Sequence, residues 1–132
     1  MTEADDLRVH QARCVPHVAV LLMFAGSAAG SQLPPDAAEQ VARATSAILA
    51  EARAAARAFL AGDDQFRSLL AARQARLEHA AADAVASARA AARDGSLAAL
   101  RQRLQRFETL TSAMWTVQRE CASPLRVIRV GV

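Results

Sequence analysis

Along most of this 132-residue chain the apolar side chains recur at alternating intervals of three and four. Leu7, His10, Cys14, His17, Leu21, Phe24 and Ala28 form one such row. Val41, Thr45, Ile48, Ala52, Ala55 and Phe59 form a second. Phe66, Leu70, Arg73, Leu77, Ala80 and Ala84 make a third, and Leu97, Leu100, Leu104, Phe107, Thr111 and Met114 a fourth. Such spacing keeps side chains on one helical face, and over several turns it is the seam of helices packed at a shallow angle. Strand-like alternation appears only in Leu125-Arg126-Val127-Ile128-Arg129-Val130, after Pro124.

Helix punctuation divides the four rows. Pro34 and Pro35 disfavour helix before them and suit a helix start, and Asp36 followed by Glu39 resembles a capping box. Gly62 with Asp63-Asp64, and Asp94-Gly95-Ser96, each read as a C-terminal glycine followed by an N-cap. The expected helices therefore cover about residues 4–29, 35–61, 63–93 and 96–121. Short loops make consecutive helices antiparallel neighbours. The expected fold is an all-α, up-down antiparallel four-helix bundle, Ala-rich, forming a single domain over 1–121. Residues 122–132 are expected to be a short extended or disordered tail.

The first row contains an unusual stretch. No formal charge lies between Arg13 and Asp36, and residues 15–31 read VPHVAVLLMFAGSAAGS. The strongly apolar part, Val18 to Ala29, spans about 18 Å as a helix against a hydrocarbon core of about 30 Å, so a membrane span is not expected. Ser27-Ala28-Ala29 would suit signal cleavage, which makes an exported protein with residues 1–29 as signal peptide an alternative. Glu3, Asp5 and Asp6 oppose it, because a signal peptide begins with net positive charge. The row also continues back to Leu7, which a cleaved signal has no reason to do. The expectation is a core helix, covered on more than one side because Val18 to Ala25 is apolar all round. Pro16 should kink or break it near Arg13 to Val15.

Composition changes the picture little. With 34 Ala but only four Phe and one Trp, the core has few large anchors and its helices must approach closely. All sixteen basic residues are Arg, a pattern typical of a GC-rich genome and weak evidence about function. Residues 1–64 hold eight acids and five arginines, whereas residues 65–132 hold five acids and eleven arginines. The basic half suits an acidic partner, but its arginines are interspersed along helices without a DNA-reading motif, so nucleic acid is not the expected partner. Two cysteines make no disulfide framework, and the cytoplasm is the expected compartment. In an up-down bundle Cys14 and Cys121 would stand about 13 Å apart along the axis, too far to pair within one chain.

The candidate chemistry is sparse. His10, Cys14 and His17 share a helical face and are metal-ligand types, yet a tetrahedral site needs a fourth ligand, and core-edge packing accounts for them without a metal. His79 falls opposite Leu70 and Leu77, facing solvent. No Glu-x-x-His, Gly-x-Ser-x-Gly or Cys-x-x-Cys pattern occurs, so neither an enzyme nor a cofactor is expected. Arg73 and Arg103 fall inside apolar stripes, which suggests a bundle that senses a small anionic molecule.

The favoured expectation is protein–protein contact with a structural or regulatory role, through Phe107, Leu110, Met114, Trp115 and Val117. The fourth helix carries an apolar stripe about 160° wide, more than one seam needs. An exposed strip containing Trp115, buried by a homodimer, is the expected arrangement.

Overall fold

The computed structural model describes residues 3–26, 32–57 and 64–122, with side chains over 6–26, 32–57 and 65–120. Four helices fill these segments: α1 (Glu3–Ala25), α2 (Ala37–Arg57), α3 (Asp64–Asp94) and α4 (Leu97–Ala122). The protein is an all-α four-helix bundle in which each helix packs against its sequence neighbours, α1 closes against α4, and α2 touches α4 across the diagonal. The α1–α4 seam is the sparsest of the four sides.

The seams fall where the threes and fours place them. Leu7, Cys14, Leu21 and Phe24 of α1 are buried, as are Val41, Thr45, Ile48, Ala52 and Ala55 of α2. Leu70, Leu77, Ala80 and Ala84 of α3 are buried, as are Leu97, Leu100, Leu104, Phe107, Thr111 and Met114 of α4, and the two helices pack against each other. Thr45 and Thr111 enter the core because each hydroxyl donates back to its own helix, to the carbonyls of Val41 at 2.8 Å and Phe107 at 2.7 Å. Phe59, Ala28, Gly62 and the tail from residue 123 lie outside the described residues.

The helix ends follow local chemistry. Gly95 takes φ of +75°, and its amide donates to the Ala91 carbonyl at 2.8 Å, closing α3. The Ser96 hydroxyl and amide both donate to Asp94 Oδ1, and these bonds hold the Asp94 carboxyl below its usual range. At the start of α2, Asp36 Oδ1 accepts from the side-chain amide of Gln40 at 2.9 Å, where a capping box would have used Glu39. An amide at i+4 reaches the carboxylate on its own helical face.

Two expectations about α1 are met only in part. The helix runs unbroken through Pro16. Pro16 and Ala12, whose carbonyl loses its intrahelical donor, both lie on the solvent side, where water can satisfy that oxygen. The apolar run is covered by α2 and α4 but not all round. Leu21 is 7% exposed, whereas its neighbours Leu22 and Met23 are 53% and 56% exposed, because α1 occupies a corner of the bundle and among the described residues packs against α2 and α4 alone. Among the described residues no helix is long and apolar enough to cross a membrane.

Candidate functional site

The loosest seam leaves a groove. Val18, Leu21, Leu22 and Ala25 of α1 face Leu104, Phe107, Thr111 and Trp115 of α4 across a cavity of about 460 Å³, with Ile48 of α2 at its floor. On the α4 side the rim is polar, made by Arg101, Gln105, Glu108 and Ser112. Arg101 and Glu108 are the titratable groups of the lining, seven residues apart and so on one face of α4, about 10 Å apart along its axis.

Covering by α1 overturns the exposed strip expected on α4. Trp115 is only 8% exposed, Phe107 and Met114 are buried, and Leu110 and Val117 are half-buried. The wide stripe of α4 faces two neighbours at once, α3 on one margin and α1 on the other, and this accounts for its breadth without a second chain.

The two arginines singled out for an anion do not share a site. Counting outward from the Gly95 turn, Arg73 of α3 stands level with position 118 of α4, and Arg103 level with position 88 of α3. That separates the two arginines by about 22 Å along the bundle. Arg103 is also exposed, its long stem reaching solvent from the α3 margin. Arg73 is half-buried, with a buried Nε that has no hydrogen-bond partner. The arginine that does line a cavity is Arg101, half-buried, whose buried Nε also lacks a partner. Sequence reading passed over Arg101 because it flanks the seam that Leu100 and Leu104 define. Its position would have drawn notice only with α1 known to lie opposite.

The histidine–cysteine row of α1 is dispersed among structural roles. His10 Nδ1 lies 2.6 Å from Glu51 Oε2, a half-buried contact that ties α1 to α2. Cys14 is buried and free, and its thiol is pushed up to about 11, first by burial and then by the negative charge of Glu51. A thiol held protonated in this way is a poor nucleophile and a poor metal ligand. His17 is half-buried at the edge of the seam. Among the described residues no three histidine, cysteine or acidic side chains converge in a way that would hold a metal ion. His79 is exposed, beside Glu78, which pairs with Arg53 at 2.6 Å on the surface between α2 and α3.

What remains distinctive is the outer face of α1. Ala12, Val15, Ala19, Leu22 and Gly26 are all exposed and follow one another at intervals of three and four. This is a second row, about a third of a turn from Leu7, Cys14 and Leu21, and Leu22 at its margin also lines the groove. Val15 is 64% exposed, and Pro16 and Met23 extend the apolar face beside the row. No protein-family model matches the chain, and searches of curated proteins and of solved structures find no match.

Proposed function

We propose that this is a non-enzymatic helical-bundle protein that acts through protein–protein contact, and that the outer face of α1 joins two copies of the chain. The observation that carries this reading is the second row, Ala12, Val15, Ala19, Leu22 and Gly26, exposed along its whole length. Any face of a helix recurs at threes and fours, but here an exposed face carries only apolar residues and glycine, which a partner helix requires and solvent does not. Small residues at every seventh position, Ala12, Ala19 and Gly26, allow a close approach of two backbones. The charge-free run from Arg13 to Asp36 keeps that face free of like-charge repulsion between identical chains. A two-fold pair is the commonest way to bury such a patch.

In this reading the chain keeps α1 and works in the cytoplasm, as opposed to an exported form cut after residue 29. Leu21 and Phe24 support it, since both sit in the core and would leave with a cleaved signal. Intact-mass measurement on protein from its native host should give a chain that includes α1.

Sedimentation at micromolar concentration tests the association. The wild-type chain should run as a dimer, and Val15→Glu, which touches neither core nor groove, should run as a folded monomer. A wild-type monomer across the micromolar range would end the proposal.

A further inference from the structure

The α1–α4 groove shares only Leu22 with the outer face of α1, and its other features are not used by self-association there. Its volume, about 460 Å³, falls in the range of about 300–1,000 Å³ typical of small-molecule sites. Its wall is apolar except along one rim, and at one end of that rim stands Arg101. A guanidinium is charged at every relevant pH and carries five donors. Arg101 makes no hydrogen bond or ion pair among the described residues, and its Nε is buried without a partner. Its own helix supplies no acid within a turn, since Leu97, Ala98, Leu104 and Gln105 occupy the positions three and four away. The facing helix supplies none either, because the sequence holds no carboxylate between Arg13 and Asp36.

We infer that this groove binds a small monocarboxylate with an elongated apolar body, of the medium-chain fatty acid type. The carboxylate takes the bidentate place on Arg101, the strongest hydrogen-bonding geometry a guanidinium offers. The hydrocarbon lies along Leu21, Leu104, Phe107 and Trp115. Glu108, about 10 Å further along α4, sets the polarity of the site. It disfavours a second negative charge at that end, so a dicarboxylate is excluded and a single charged head points to Arg101.

The chain has one tryptophan, and Trp115 lines the cavity, so its fluorescence reports occupancy directly. The full-length protein is titrated with decanoate below its micelle-forming concentration, with decanol, decyltrimethylammonium and inorganic phosphate as comparisons. Decanoate should give a saturable change. Decanol and decyltrimethylammonium should bind at least tenfold more weakly, and phosphate should give no response. Arg101→Gln should weaken decanoate at least tenfold while leaving decanol unchanged, with helicity checked by circular dichroism. If decanoate gives no saturable change, or binds no better than decanol to the wild-type chain, the inference fails whatever the variant does. An Arg101→Gln protein that is folded and binds decanoate undiminished overturns it equally. Running the titration on Val15→Glu as well separates this site from the α1 contact, because Val15 does not line the groove.

Discussion

Gln118 Nε2 donates to the backbone carbonyl of Ala52 at 3.0 Å, so a fully buried amide on α4 docks directly onto the main chain of α2. Gln74 of α3 does the same one turn earlier, to the Leu49 carbonyl at 3.2 Å. Helix α2 accepts side chains in this way because Ala52, Ala55 and Ala56 leave its backbone uncovered. Both glutamines leave Oε1 buried with no partner, so each interaction carries a desolvation cost.

Replacing Gln118 by Met should therefore hold or raise the melting temperature. The Ala52 carbonyl keeps its helical donor, the Ala56 amide, and the orphaned Oε1 is removed at nearly constant volume. Gln118→Ala should instead cost about 2–4 kcal/mol, because it opens a cavity where α2 meets α4. Chemical denaturation of both variants checks this, and a Met variant as unstable as the Ala variant would mean that the hydrogen bond outweighs its cost.

Adjacent leucines in α1 should respond in opposite ways. Leu21 is 7% exposed and Leu22 is 53% exposed. An unpaired carboxylate at Leu21→Asp costs several kcal/mol, comparable to a total stability of roughly 5–15 kcal/mol, and should unfold the bundle. Leu22→Asp should stay folded by circular dichroism and lose self-association in sedimentation. Equal helicity and melting temperature for the two variants would contradict the orientation of α1.

Cys14 should make stability fall at high pH. Its thiol is raised from 9.0 to about 11 in the folded chain, so the folded state holds its proton more tightly than the unfolded state does. The stabilisation is complete below about pH 9 and lost as pH rises from 9 to 11, amounting to at most about 3 kcal/mol at about 1.4 kcal/mol per pH unit. Denaturation midpoints for wild type and Cys14→Ala should differ less at pH 11 than at pH 8. The same burial predicts that Cys14 reacts with a thiol reagent only at the rate of unfolding.

At Gly95 the backbone, with φ of +75°, is the constraint, since a Cβ there would meet nothing within 4 Å. Gly95→Ala should cost about 1 kcal/mol through left-handed strain alone, and Gly95→Asn less, because Asn tolerates that region. Melting curves should rank glycine, asparagine, alanine. An alanine variant matching wild type would show that the α3–α4 turn relaxes to another conformation.

The sequence by itself determined the four helices and their inward faces. Leu70, Leu77, Leu100, Leu104 and Phe107 recur at threes and fours among charged neighbours, a contrast that one helix can express alone, and Gly95 marks its turn through backbone sterics that need no tertiary partner. What covers each face is a different quantity, decided by which helix stands opposite. Trp115 belongs to α4's stripe in sequence, yet only the approach of α1 closes over it, and the same packing turns Leu22 outward and sets Arg101 at the groove's end. In a chain with alanine on nearly every helical face the apolar pattern cannot separate buried from exposed surface. Alanine is compatible with both, and the choice falls to the large side chains on the neighbouring helix.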